Sequence, residues 1–401
     1  MLSMDEALAA LLAQATPVAE HRTVPTLSAH GRVLAAPLHS TLDVPPMDNT
    51  SMDGYALRAA DVPAAGTRLP VSQRVPAGQV PSPLAAGTAA RIFTGAMIPP
   101  GADAVVMQEQ CSADGDAVVV NHVPAAGDWV RRAGEDIRAG ARILAAGTRL
   151  SPQACGLAAS VGLATVPVVR DLRVAVFFTG DELAMPGESL KPGAIYNSNR
   201  FVLSALIAGL GCRVTDFGIV PDSLDATRGV LREAAREHDL IVTTGGVSVG
   251  EEDHVRPAVE AEGEIRLWQI AIKPGKPLAY GRVRRAPGGH ADFIGLPGNP
   301  VSGFVTFLLF VRPFILKRQG VADLAPRALA LRADFDWPRP DRRREFLRAR
   351  QGAAGLELFP NQSSGVLTST VWADGLIDNP PGHAIARGDL VRFLPFAALL
   401  T

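Results

Sequence analysis

Asp239–Gly246 reads DLIVTTGG, an apolar run that ends in two threonines and two glycines. Such a run, closed by a glycine pair, predicts a fully buried strand that enters a tight loop. N-terminal to it, DLRVAVFFTG (171–180) repeats the pattern. NSNRFVLSALIAGLG (197–211) reads as a helix with Asn or Ser near its cap and Gly at its end. CRVTDFGIV (212–220) reads as a strand and SLDATRGVLREAAREH (223–238) as a helix. C-terminal to it, ADFIGLPGNPVSGFVTFLLFVRPFILKRQG (291–320) reads as a strand, a tight loop and a helix that begins near Ser302. Strands alternating with helices predict a parallel α/β sheet over 171–320, with ligand-binding loops at the strand ends.

The flanks read differently. MLSMDEALAALLAQA predicts an amphipathic N-terminal helix, and LDVPPMDNTSMDGYALRAADV a turn-rich entry into a new unit. From about 67 to 125, RLPVSQRV, ARIFTGA, DAVVMQEQ and DAVVV alternate with Gly and Pro, which signals an all-β module. AAGTRL occurs at 64–69 and again at 145–150, a shared turn-and-strand phrase. From about 321, RALALRADF, EFLRARQ, LELFP and DLVRFLPF predict a small β domain. The fold class is therefore multidomain α/β plus β. The expected units are 1–44 with 141–170, an inserted β-rich unit at 45–140, the α/β unit at 171–320 and a C-terminal β unit at 321–401.

Bulk composition bounds the function. With 47% hydrophobic and 5% aromatic residues, the cores should be aliphatic. Lys plus Arg (39) nearly cancels Asp plus Glu (40), so nothing supports a broad nucleic-acid surface. Three separated cysteines make neither a disulfide framework nor a CxxC zinc site, which suits a reducing cytoplasm. No uninterrupted apolar run approaches the roughly 20 residues of a membrane helix. FVTFLLFVRPFIL comes nearest, and Arg312 and Pro313 are expected to break it. These features predict a soluble cytoplasmic protein that uses neither nucleic acid nor membrane.

Three strand ends carry unusual loops. Thr179, Gly180, Asp181 and Glu182 follow one buried strand; Gly245, Gly246 and Ser248 follow another, then acids that include Asp253. Pro297, Asn299 and Pro300 stiffen the third ahead of a helix N-terminus. Small residues with free N–H groups can approach an anion closely, although tight αβ connections ordinarily look the same. The spacing is neither GxGxxG nor GxxxxGK[ST]. In IAIKPGKPLAYG (270–281) the Pro-Gly pair predicts a type II turn with Lys273 and Lys276 at its corners. Two ammonium groups so close repel unless an anion lies between them.

Other groups are ambiguous by themselves. Asp53 in SMDGY, Asp136 in GEDI and Asp222 in VPDS each suit a turn or a cap. Eight scattered histidines contain no HxxxH or HExxH, which favours oxygen ligands and Mg²⁺ over zinc; His238 and His254 read as surface residues. Alternation in PDRRREFLRAR would put Arg344, Arg348 and Arg350 on one face and Arg343 on the other. QSSG (362–365) offers two hydroxyls in a turn.

MDNTSMDGYA, FTGAMIPPGADAVVMQE, VRRAGEDI, FFTGDEL, TTGGVSVGEEDHV, IAIKPGKPLAYG and GLPGNPVSGFVTF, in this order across nearly the whole chain, resemble the molybdopterin molybdenumtransferases. These are the MoeA proteins of bacteria, akin to the E domain of gephyrin. The resemblance implies a central MogA-like molybdopterin-binding domain and a C-terminal barrel-like domain. It implies insertion of molybdate into adenylylated molybdopterin, with release of AMP and help from Mg²⁺. Asp53, Thr94, Asp136, Glu182, Asp222, Asp253, Lys273, Lys276, Pro297, Pro300 and Arg348 match functional positions of the family. Ser364, with Ser363 one position off, matches its small-residue turn. On this reading Lys273, Lys276, Arg348 and Ser364 hold the oxyanion, and Glu182, Asp222 and Asp253 hold the metal and position water. Asp53, Thr94 and Asp136 lie in or beside the inserted module, so the resemblance implies a site shared across a homodimer. It also implies transient contacts with the adenylyltransferase and with cofactor-delivery proteins. The alternatives are an adenylyltransferase, which shares the α/β unit, and a non-catalytic scaffold like gephyrin.

Overall fold

The computed structural model describes residues 1–246 and 254–400. The N-terminal helix Met4–Leu12 opens with a capping box: Glu6 N–H donates to Ser3 Oγ (3.2 Å), and Ser3 N–H donates to the Glu6 carboxylate (2.8 Å). Its buried face, Ala7 and Leu11, joins the largest hydrophobic cluster of the molecule. His21–Pro25 pairs antiparallel with Thr165–Val169, so the first segment and residues 165–169 share one small sheet. The two AAGTRL copies adopt the same turn. Gly66 (φ +88°) and Gly147 (φ +77°) occupy the left-handed region, and each following Thr N–H donates to the first Ala carbonyl (3.3 Å).

The β module is a six-stranded sheet in the order Ala104–Met107, Gly54–Leu57, Ala89–Ile92, Thr67–Val75, Ala117–Val120, Cys111–Asp114. Its two hydrophobic clusters are built from Ala, Val, Leu and Ile, as composition predicted.

The central sheet runs Arg213–Val220, Arg173–Thr179, Leu240–Thr244, His290–Leu296, Pro277–Arg284, Gly263–Gln269. The first four strands are parallel, and the last two are antiparallel to their neighbours, so the sheet is mixed where a parallel one was expected. The added pair comes from the segment around the lysines, where the sequence shows no helix between its strands. One helix, Pro300–Arg318, runs through Arg312 and Pro313 instead of breaking there. Proline removes a donor and crowds the carbonyl four residues back. Here the preceding turn, Phe307–Val311, widens to π geometry, which accommodates the ring. The helix is long and apolar enough to cross a membrane, yet 83% of its most apolar window is buried, so it is a core helix. Its Phe307, Phe310 and Phe314, with Phe177, Phe178 and Phe293 of the sheet, add buried rings to the two central clusters. Ala, Val, Leu and Ile still make up most of both central clusters, as the aliphatic expectation had it.

The C-terminal sheet orders Ile272–Lys273, Arg344–Gln351, Gly375–Asn379, Leu390–Pro395, Leu329–Arg332, with Leu356–Leu358 also on the Arg344 strand. A bridge from Ala333 to Leu356 brings its far edges together, which gives the barrel-like form. Its inner strand Gly375–Asn379 is fully buried and was not read from the sequence, since GLIDN carries polar residues. Ile272–Lys273 crosses over from the α/β chain segment, in register with Arg344 and Glu345.

A candidate oxyanion cleft

The carboxyl ends of the parallel strands lie on one edge: Thr179 pairs with Val220, and Thr244 with Phe178 and Leu296. The loops after them therefore converge, as predicted. Gly245 N–H donates to the Leu296 carbonyl (3.2 Å), and Asn199 Nδ2 donates to the Gly298 carbonyl (2.8 Å) and Thr244 Oγ1 (3.3 Å). Gly246, at φ +63°, has no room for a side chain, because a Cβ would lie 2.4 Å from Val255. The helix after the third loop starts at Pro300, two residues before the expected Ser302, with Asn299 in extended geometry ahead of it.

A cleft of about 570 Å³ lies at this edge against the C-terminal domain. Of the predicted residues, Gly245, Gly246, Lys273, Lys276, Pro297, Asn299, Ser363 and Ser364 line it. Gly275, Ser302 and Arg343 line it as well. Ser364 is seated by the helix itself, since Val301 N–H donates to the Ser364 carbonyl (3.0 Å). Ser248 and Asp253 lie outside the described residues.

The lysine loop departs from a type II turn. The Lys273–Pro274 peptide is cis, Gly275 has φ +100°, and Ile270 N–H closes the loop onto the Lys276 carbonyl (2.8 Å). The charge balance also differs from expectation. Lys273 Nζ lies 3.4 Å from Asp341 and 3.6 Å from Glu345, so protein carboxylates already offset part of its charge. Lys276 is exposed and, among the described residues, makes no ion pair. Arg343, which was assigned no ligand role, chelates Asp341 through Nε (3.0 Å) and Nη2 (2.9 Å). That contact holds the Asp341 carboxyl well below the usual carboxylate range.

Arg348, expected at the ligand, stands behind the cleft instead. It is 1% exposed and does not line the cleft. Its Nε donates to Ser369 Oγ (3.2 Å), and Nη1 and Nη2 donate to the carbonyls of Phe346 (3.2 Å) and Ser363 (3.3 Å). Burial without a carboxylate partner pushes its pKa down to about 10, so it remains a cation at neutral pH directly behind the serine turn. Arg350 lies over Trp372 and Arg344 pairs with Asp378.

The acids do not form one cluster: among the described residues no three metal-ligating side chains converge. Glu182 folds its carboxylate over Gly180, where a Cβ would lie 2.5 Å from it. Asp222 N–H donates to Asp181 Oδ1 (3.4 Å), so the ends of two adjacent strands bring Asp181 and Asp222 together. Asp53 accepts from both N–H (2.7 Å) and Oγ1 (2.6 Å) of Thr94, and these bonds, the hydroxyl's first, lower its pKa. Neither Asp53, Thr94 nor the exposed Asp136 lines the cleft. His238 is buried rather than at the surface, with Nδ1 2.9 Å from the Ala234 carbonyl.

Residues 2–162 match the family described as "MoeA N-terminal region (domain I and II)", 175–317 the "Probable molybdopterin binding domain" and 330–396 the "MoeA C-terminal region (domain IV)". A molybdopterin molybdenumtransferase of Haemophilus influenzae is 39% identical over 321 residues, 80% of this chain and 78% of that one. Molybdopterin molybdenumtransferase 2 of Mycobacterium tuberculosis is 37% identical over 374 residues, 89% and 90% of the two chains. The crystal structure of the molybdopterin biosynthesis moeA protein from Pyrococcus horikoshii OT3 superposes with a TM-score of 0.85 at 29% identity, covering 98% of this chain and all of that one.

Proposed function

The chain belongs to the molybdopterin molybdenumtransferase family, and on that premise we propose that it inserts molybdate into adenylylated molybdopterin and releases AMP. The observation that carries this reading is the convergence of Lys276, Lys273, Arg343 and the Ser363–Ser364 turn on one cleft at the carboxyl edge of the sheet. Cations and hydroxyls around one point bind a tetrahedral oxyanion by charge-assisted hydrogen bonds. Arg348 would act from behind, by fixing the turn and adding positive potential. The glycines of the strand-end loops, with Ser248, would admit the phosphates of the pterin nucleotide close to the backbone. Relatives of this name over nearly the whole chain favour insertion over the adenylyltransferase reading.

Hard oxygen donors on adjacent strand ends suit Mg²⁺, and Glu182 and Asp222, with Asp253, would hold it. Bound there, the ion would offset the charge of the phosphoanhydride. Glu182 and Asp222 would also position the water that attacks it. Asp53, Thr94 and Asp136 stand apart from the cleft, which supports a homodimer in which a second copy supplies them. Three free thiols suit a cytoplasmic setting, where the adenylyltransferase and cofactor-delivery proteins would be transient partners.

AMP release from adenylylated molybdopterin, with and without molybdate at fixed Mg²⁺, tests the proposal. Molybdate-dependent release is the expected result. Formation of the adenylylated pterin from ATP, or tight binding without release, would overturn it.

A further inference from the structure

Beside the Asp53–Thr94 pair, the inserted module carries a second group of residues that the proposed function leaves unused. Arg74 and Arg91 sit directly opposite each other on parallel strands. Like charges in that position destabilise a sheet. Among the described residues neither arginine makes an ion pair. What they share is one ring: Arg74 lies 4.7 Å and Arg91 4.5 Å from the centroid of Phe93, and Arg91 lies 5.3 Å from that of Tyr55.

Arg91 is fixed in place. Its Nη1 donates to the carbonyls of Gly54 (2.8 Å) and Ile92 (3.0 Å), and Nη2 donates to Gln108 Oε1 (2.6 Å). The Gln108 amide in turn donates to the Glu109 carboxylate (3.2 Å). Arg74 is exposed and held by the ring. Phe93 is half-buried and immediately precedes Thr94. Both Thr94 bonds fall on Asp53 Oδ1, so Thr94 leaves Oδ2 to other donors. Two guanidinium groups over one ring can stack a heterocycle and neutralise a phosphate, and the Asp53 carboxylate can accept from a ring N–H.

We propose that Phe93, Arg74 and Arg91 form a stacking platform for a fused nitrogen heterocycle that carries a phosphate, the nucleotide or the pterin end of the substrate. The identity of the ligand rests on the function proposed above; the platform itself rests on the arginine pair and the ring. Guanidinium and ring faces together tolerate either heterocycle, so the two ends are separated by experiment.

Calorimetric titration of the full chain with AMP and, separately, with dihydroneopterin monophosphate provides the test. Wild type is compared with Phe93→Leu and with Arg74→Gln, the latter an exposed site that leaves the fold intact. The expected result is binding weakened about tenfold or more by both substitutions, with molybdate titration unchanged within twofold. Weakened AMP binding assigns the nucleotide end, and weakened pterin phosphate binding the pterin end. Equal binding by all three proteins, or no binding of either compound to wild type, overturns the platform. Failure of the proposed function reads out separately, as AMP release indifferent to molybdate in wild type.

Discussion

Lys273 Nζ lies 3.4 Å from Asp341 Oδ2, and Arg343 Nη2 donates to that same oxygen at 2.9 Å. One carboxylate thus draws on two of the cations that line the cleft. Lys276 is left as the lysine whose charge is not committed within the described residues.

The two lysines should therefore behave differently. Lys276→Ala is expected to raise the molybdate requirement for AMP release about tenfold or more, as loss of a charge-assisted hydrogen bond predicts. Its melting temperature should stay near wild type, since the residue is exposed. Lys273→Ala should lower stability by about 1–2 kcal/mol, because it strips the fully buried Glu345 of its cation; the usual buried-pair cost is discounted since Lys273 is 43% exposed. Thermal melts with molybdate titrations check both. A molybdate requirement in Lys276→Ala equal to that of wild type would sink the assignment.

Asp341→Asn should strengthen oxyanion binding at neutral pH several-fold, because Lys273 and Arg343 lose a competing anion. Arg343 holds the wild-type carboxyl well below its ordinary pKa, so it stays ionised throughout the working range. Molybdate affinity measured between about pH 5 and 8 should accordingly show no step from this group.

The Asp53–Thr94 contact makes a pH prediction. The folded-state pKa of Asp53 lies below its ordinary value, so the contact favours the fold above the unfolded pKa of about 3.9. That contribution disappears as pH falls through the lower folded value. Thr94→Val removes the hydroxyl, the larger of the two causes, and should move the Asp53 titration upward when followed by carboxyl-carbon NMR. An unmoved titration would refute the cause given.

Gly275→Ala should cost about 2 kcal/mol or more, through a positive φ and a Cβ 2.4 Å from Thr306 Oγ1. Loss of molybdate binding should accompany the lower denaturant midpoint, because this loop carries both lysines. A variant as stable as wild type would show that the loop relaxes freely.

Most of the α/β unit was legible because its strands are short apolar runs with glycine ends and its helices carry caps, such as Ser223 on Leu224–Glu237. The antiparallel pair around the lysines was not, since local pattern does not encode strand direction. GLIDN hid a buried strand because Asp378 and Asn379 satisfy their polar atoms in the fold, Asp378 with Arg344 and Asn379 with the His383 carbonyl. The cleft residues were legible as loops at strand ends. The burial of Arg348 was not, because alternation fixes a face but says nothing of what packs against it. Nor could spacing show that Asp341, three residues before Arg344, neutralises Lys273 from the C-terminal domain.

Lys273 is stitched into the C-terminal sheet opposite Glu345, whereas Pro277, one residue after Lys276, begins a strand of the central sheet. Two ammonium groups three residues apart thus ride on different bodies. Any rotation of the barrel against the α/β unit changes the spacing of the charges that would grip an oxyanion. The Pro274–Gly275 link is then the fulcrum of a two-point grip, and its aperture is set by how firmly the two sheets are docked.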